Sequence, residues 1–301
     1  MWIKQAKFFM LQKNAMPNNE TLSQALSEHA FQSVSGVALF SEGFANAVSF
    51  ADDFVFSTQN SDKISLKKEE RILPAAAVKD LLEDKIADIQ AKTARRVGRK
   101  EKQRLKEELT NELLHKTLSK SSRTHLYLLP KSGLLLVDNA NANRAENAVS
   151  RLREALGDLP AVLPNTVKSP HLLMTDWLLR GECAGGFDLD DSCEMKSLGD
   201  ETSTTVRVAR ADLTCEEIKL HAKSGKTVTQ LGLTWQDKIA FVLSDDLSIK
   251  RIRFLDIVQE EAENNSDDMP ALTAATQLLA TQTLADMIDE LIAHLGGLTK
   301  E

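Results

Sequence analysis

The spacing of apolar residues is sharpest between positions 72 and 123, where Val78, Leu82, Ile86 and Ile89 recur at intervals of three and four. That interval lays them along one face of a helix. Pro74 suits the first turn of such a helix, where its missing N–H costs nothing. The pattern weakens at Val97-Gly98 and resumes at Leu105, Leu109, Leu113 and Leu114, so the segment is predicted to be two helices joined at Gly98 and folded back as an antiparallel hairpin.

Around it the pattern predicts a strand over 2–11, a helix over 20–31 showing Leu22, Leu26 and Ala30 on one side, and strands near 38–40, 54–58 and 63–71. Beyond it, 125–129 and 133–138 read as a β-hairpin closed by residues 130–133. A helix over 143–156 stops at Gly157, and 159–164 is a short strand ended by proline. From 169 onward the expectation is a short helix over 171–179, strands over 187–189 and 204–209, and a helix capped by Asp212-Leu213-Thr214 and running to Lys223. Strands over 227–235, 238–243 and 248–254 follow, joined by turns at Gln236-Asp237 and Asp245-Asp246. An acidic linker over 260–268 then leads to a helix over 270–294 that ends at Gly296-Gly297. Its stripe of Leu284, Ile288, Leu291, Ile292 and Leu295 reads first as core and second as a dimer surface.

Runs of strands and helices in this order describe an α+β protein, large enough to bury a real core. The expected domains are a discontinuous body over 1–73 and 123–168, a helical hairpin over 74–122, and a second α+β domain over 169–301 that includes the acidic linker and the last helix.

Charge changes this picture. Lys92, Arg95, Arg96, Arg99, Lys100, Lys102, Arg104 and Lys106 face a single acid, Glu101, at the turn of the hairpin, and Lys116, Lys120 and Arg123 continue the basic character toward its base. One reading is a solvated helix face. Such a face usually mixes Lys with Glu at i,i+4, and an uncompensated cationic tip fits a polyphosphate better. The chain's net charge of −7 does not oppose this, because residues 256–301 hold ten acids and one base and leave the remainder at +2.

Cys183, Cys193 and Cys215 form no CxxC pair and read as reduced thiols, and no apolar run approaches the roughly 20 residues that span a bilayer. Without a signal-peptide-like start, the expectation is a soluble cytoplasmic protein away from membranes.

Little else carries chemistry. Ser224-Gly225-Lys226-Thr227 ends like a phosphate-binding P-loop, but Leu220 stands where the first glycine belongs and a strand is predicted to follow. Asp188, Asp190 and Asp191 lack the spacing and central glycine of a calcium loop. The six histidines (His29, His115, His125, His171, His221 and His294) show neither HExxH nor zinc-like pairing with cysteine, and no GxSxG occurs. The residues therefore predict no catalytic group, no metal site and no cofactor.

The runs KKEERILPAAAVKDLLEDKIADIQ (67–90), LLLVDNANANRAENAVSRLREALGDLPAV (134–162), TDWLLRG (175–181), DLTCEEI (212–218) and SDDLSIKRIRF (244–254) resemble, in order and spacing, the recombination-associated protein family RdgC of proteobacteria. Trp2-Ile3-Lys4 and Gly296-Gly297 also fit, so the resemblance spans the chain. It implies a nucleoid-associated protein that binds duplex DNA, and single-stranded DNA as a second candidate, without sequence preference. It also implies restraint of recombination by limiting access of the RecA recombinase, with no catalysis. The implied architecture is a horseshoe-shaped monomer with a helical finger, pairing into a ring-shaped homodimer around DNA. By position, the finger is 74–122, and Lys4, Arg207, Lys226, Lys250 and Arg251 fall in segments implied to line the hole. Two residues depart from the family pattern: Leu118, where an aromatic stands near the finger's base, and Gln230, where lysine stands.

Two further readings stay open. The hairpin suits docking on an acidic protein, with DNA contact incidental, and a nucleic-acid enzyme would need a carboxylate cluster that only Asp188, Asp190 and Asp191 begin to supply.

Overall fold

The computed structural model describes residues 2–12, 18–197, 204–264 and 268–299. In chain order the elements begin with β1 (Lys7–Leu11), α1 (Asn19–Glu28), β2 (Phe40–Ala45), β3 (Val55–Ser57), β4 (Asp62–Arg71), α2 (Ala75–Thr93) and α3 (Arg99–Leu114). Next come β5 (Ser119–Leu129), β6 (Leu134–Val137), α4 (Ala142–Leu156), β7 (Ala161–Val162), α5 (Pro170–Arg180), β8 (Phe187–Ser197) and β9 (Thr205–Ala209). The rest is α6 (Glu216–Lys223), β10 (Lys226–Trp235), β11 (Ile239–Ser244), β12 (Ile249–Phe254), α7 (Asp256–Asn264) and α8 (Met269–His294). The fold is α+β, and its contacts divide the chain into two compact units.

The first unit comprises Met1–Glu28, Asn46–Ser65 and Thr124–Glu301. Within it β1 lies between β6 and β7, antiparallel to both, and β6 continues to β5 through Leu126↔Val137 and Leu129↔Leu134. The apolar runs Phe8-Phe9 and Leu134-Leu135-Leu136-Val137 are buried on both faces, as a strand covered on both sides requires. One cover is α4, held at its start by Asn141, whose Oδ1 accepts the Arg144 N–H at 3.1 Å, and seated by the buried Ala145, Ala148, Val149 and Leu152.

A second antiparallel sheet runs in the order β12-β11-β10-β8-β9. Its inner face (Met195, Leu231, Leu233, Phe241 and Leu243) joins Phe8 and Leu136 of the first sheet, Trp177 and Leu178 of α5 and Leu284, Ile288 and Leu291 of α8 in one core. The stripe of α8 is thus core along its length, with Leu284, Ile288, Leu291 and Leu295 fully buried. Glu290 on that helix accepts the Gly186 N–H at 2.6 Å and the Trp235 indole N–H at 2.8 Å, which ties α8 to the residue before β8 and to the end of β10.

The second unit comprises His29–Ala45 and Leu66–Arg123. It contains β2, residues 66–71 of β4, residues 119–123 of β5, and the α2–α3 pair. The Arg71 N–H donates to Leu39 O at 2.8 Å and the Ile72 N–H to Leu118 O at 2.9 Å.

Several elements differ from the predicted ones. The strand expected over 2–11 begins only at Lys7, because residues 2–6 leave the first sheet and bond to β12, with Ala6 bridging Ile249. The expected acidic linker is largely α7, seated by Val258 and Ala262 one turn apart, with the acids on its outer side hiding the short apolar period. Residues 265–267 of that linker, and Asp267, Lys300 and Glu301 of the acidic tail, lie outside the described residues. β5 and β8 run well beyond the predicted 125–129 and 187–189, as polar residues at strand ends carry no apolar signal.

Candidate nucleic-acid interface

Two basic surfaces emerge, one in each unit. In the second unit α2 and α3 share a small core of Leu82, Leu105 and Leu109, with Ile86, Ile89, Val97 and Leu113 packed against it. Residues 94–98 connect them. Ala94 turns the chain in the left-handed region (φ 49°), and Gly98 sits at the N-cap of α3, so the break is a five-residue loop and not a kink at Gly98. Pro74 likewise occupies the N-cap of α2, one place before the predicted first turn.

The hairpin core takes one stripe of each helix, and Lys92, Arg95, Arg96, Arg99, Lys100, Lys102, Arg104 and Lys106 are all exposed. Arg95 grips Glu101 with both guanidinium nitrogens at 2.7 Å, which holds the Glu101 carboxyl below its usual range. Arg104 lies 3.4 Å from Glu108, and Lys116 lies 2.9 Å from Glu112. Among the described residues Lys92, Arg96, Arg99, Lys100, Lys102, Lys106 and Lys120 make no ion pair. The one acid of the turn is therefore already engaged, and the surplus positive charge faces solvent. At the hairpin base Arg123 is exposed, and so is Leu118, at 80%.

In the first unit the outer face of the second sheet holds a groove of two adjoining cavities, about 610 and 360 Å³, sharing Ser192, Ala209, Val242 and Arg251. Irregular strands shape it. Leu231↔Cys193 is followed by Leu233↔Leu189, so β8 bulges outward through Asp190, Asp191 and Ser192. Likewise β12 carries an extra residue against β11, where Arg251 adopts φ 51°. Such bulges re-aim side chains that a regular pleat would send elsewhere. Arg210 also adopts a left-handed backbone (φ 56°), a conformation that costs a side-chain-bearing residue on the order of 1 kcal/mol and collects at functional sites.

Lys4, Arg207, Arg210, Arg251 and Arg253 line the groove against Asp190, Asp191 and Glu194. Glu194 is held by Arg207 at 2.7 Å and Lys196 at 3.1 Å, and its carboxyl is lowered chiefly by the Arg207 hydrogen bond. Arg253 approaches Asp190 at 3.7 Å. Lys4, Arg210 and Arg251 make no ion pair among the described residues. Of the cations expected here, Lys4, Arg207 and Arg251 come together. Lys226 opens β10 opposite Ser197 and Lys250 faces Val242 in β11, and neither lines the groove. Gln230 does line it, uncharged. Arg210 and Arg253 were not anticipated, since Arg210 lies beyond the strand end and Arg253 reaches the groove only because of the bulge at Arg251.

The other chemical candidates resolve differently. Ser224-Gly225-Lys226-Thr227 joins the end of α6 to the start of β10 through Gly225 (φ 93°), the reverse of the strand–loop–helix order a P-loop needs. Among the described residues no three His, Cys, Asp or Glu are placed to hold a metal ion. Burial pushes the Cys183 thiol up to about 12 and the Cys193 thiol to about 11, far from a reactive thiolate. No helix among the described residues is long and apolar enough to cross a membrane.

A family model described as "Putative exonuclease, RdgC" matches residues 1–298. The protein named Recombination-associated protein RdgC of Neisseria meningitidis serogroup C is 48% identical over 297 residues, 99% of each chain. Those of the same name from Laribacter hongkongensis and Pseudomonas aeruginosa are 44% and 39% identical, over 100% of both chains for the first and 99% and 98% for the second.

Proposed function

The chain belongs to the RdgC family of recombination-associated proteins, and on that premise we propose that it binds duplex DNA without sequence preference and thereby limits the access of a RecA-type recombinase. The observation that carries the reading is the hairpin turn, where, among the described residues, six of eight cations make no ion pair and the acid of the turn, Glu101, is taken by Arg95. Cations on an exposed turn gain from phosphate by releasing condensed counterions, and phosphate contacts carry no base information. The groove of the second sheet adds Lys4, Arg210 and Arg251, which make no salt bridge among the described residues. In this reading two horseshoe-shaped protomers, each with the hairpin as a finger, close a ring on the duplex, place the protein on the nucleoid and act without catalysis. Leu118 and Gln230, both uncharged, add nothing to the grip on phosphate.

The family description also names an exonuclease. Metal-assisted hydrolysis of phosphodiesters needs carboxylates gathered on the ion. In the groove Glu194 is engaged by two cations and Asp190 faces Arg253, an arrangement that favours binding over hydrolysis.

Three measurements test the proposal. The mass in solution should be that of a dimer, and a monomer overturns the ring. Affinity for linear duplex should fall steeply with salt, and Arg96→Glu, Arg99→Glu and Lys100→Glu together should weaken it and flatten its slope. Unchanged affinity and slope would remove the hairpin from the interface. Magnesium-dependent shortening of labelled duplex, abolished in Asp190→Asn, would replace the binding reading with the nuclease one.

A further inference from the structure

Glu194 lines the groove as an acid among cations, where by charge alone it would repel a phosphate. Its surroundings give it a different task. On β8 Cys193 and Met195 belong to the core, and on β9 Val206 and Val208 pack against that core. By the period of two, Glu194 and Lys196 on the first strand and Arg207 on the second face outward. Register sets Glu194 directly opposite Arg207 on one side and opposite Gln230 of β10 on the other. The backbone is fastened here too, since the Thr229 hydroxyl donates to Glu194 O at 3.3 Å beside the irregularity between Val228 and Gln230.

The side chains of the pair divide sharply in exposure, 11% for Glu194 and 77% for Arg207. Arg207 Nε donates to Glu194 Oε2 at 2.7 Å, and Lys196 Nζ lies 3.1 Å from Glu194 Oε1, so each carboxylate oxygen holds one cation. Arg95 on the hairpin spends both terminal nitrogens on Glu101. Arg207 is gripped through Nε, and its two terminal nitrogens, without a hydrogen-bond partner among the described residues, form the planar fork that fits a phosphate bidentately. An exposed arginine on an edge strand otherwise samples many rotamers, and fixing one beforehand spares that loss on binding. We infer that Glu194 is a positioning residue for nucleic-acid contact: it holds the fork of Arg207 at the groove, set to receive one phosphate. This rests on the reading of the groove as a phosphate-binding surface.

The tests are Arg207→Ala, Glu194→Asp and Glu194→Ala, with each Glu194 change repeated beside Arg207→Ala. Duplex affinity is read against salt, and loss of one phosphate contact lowers the slope by about one. Arg207→Ala should lose that unit. Glu194→Asp keeps the negative charge but draws the carboxylate back by one methylene, so it should lose affinity in the wild-type background and none beside Arg207→Ala. Glu194→Ala also removes a repelling charge, a gain common to both backgrounds, and should fare worse in the wild-type background than beside Arg207→Ala. A second readout needs no DNA. The arginine Nε–H resonance that is missing from Arg207→Ala should exchange slowly with solvent in the wild type and faster in Glu194→Asp.

Equal effects of Glu194→Ala in the two backgrounds, whatever their sign, overturn the proposal: an equal gain marks an acid that only repels, and an equal loss one that serves only the sheet. If Arg207→Ala changes neither affinity nor slope, the groove reading fails at this position and the proposal with it, while the exchange data still show whether Glu194 holds the fork. Should Glu194→Ala not fold, Glu194→Asp decides alone, and wild-type affinity in that variant, with Arg207→Ala weakened, refutes the positioning role.

Discussion

Gly232 tests why the groove exists. A Cβ at this position would stand 2.7 Å from Ser192 Oγ, 3.0 Å from Ser192 O and 3.3 Å from Ser192 N, so β10 lacks a side chain where the bulge of β8 folds over it. Gly232→Ala has two opposing effects. Removing glycine from a strand interior favours folding by about 0.5–1 kcal/mol through the unfolded chain. Forcing a methyl into a filled space costs typically about 1–3 kcal/mol. The Oγ can rotate aside, but the carbonyl and amide belong to the backbone of the bulge and move only if β8 parts from β10. The steric effect should win, leaving a net loss of about 1–2 kcal/mol.

The assay is thermal unfolding by circular dichroism, where each kcal/mol moves Tm by about 2–4 °C for a unit of this size. Ser192→Ala in the Gly232→Ala background relieves the 2.7 Å contact and leaves the backbone contacts, so it should restore part of the loss and not all. Because Ser192 lines both cavities, duplex affinity of the folded Gly232→Ala protein should fall as well. A melting temperature equal to that of wild type, with the groove still binding, would refute the account of the bulge.

Other perturbations have equally definite signs. Asp246→Ala removes the carboxylate that holds the buried Lys7 ammonium at 2.9 Å; Ser248 Oγ at 3.2 Å is a weaker substitute, and urea unfolding should show a loss of about 3 kcal/mol. Lys7→Met with Asp246→Ala should recover much of that loss, and an additive double variant would disprove the pairing. Glu290 sits below the usual carboxylate range, chiefly because of the Gly186 N–H and then the Trp235 indole against some burial, so its contribution is present above the ordinary pKa and vanishes as pH falls through the lowered one. Glu290→Gln should turn an amide toward one of those donors, cost about 1.5–3 kcal/mol near neutrality and flatten the acid limb of the stability curve. Glu101→Gln frees Arg95 at the hairpin turn, and duplex affinity at low salt should rise with a steeper slope; no change would place the turn away from phosphate.

The pairing of α2 with α3 was legible from the chain because everything that makes it is local. Three-and-four spacing decides its helices, and eight cations against one acid decide its surface, whatever lies elsewhere. The same holds for α8 as a helix, since its continuous stripe is a local signal, while the choice of core over dimer surface came from the tertiary packing. By contrast α7 was hidden, since two small apolar residues one turn apart are outweighed by the acids around them. The groove could not be read this way at all. Its cations come from the start of the chain, from β9 and the residue just past it, and from β12, and Lys4 reaches it only because Ala6 pairs with Ile249. Arg210 and Arg251 line it from left-handed backbone that their residue type does not announce, and Lys226 and Lys250, as basic as the others, do not line it. Local periodicity settles which segments are helices and which stretch is cationic. Which charges share one surface is settled by strand register and bulges, because a shift of one residue in a strand sends a side chain to the opposite face.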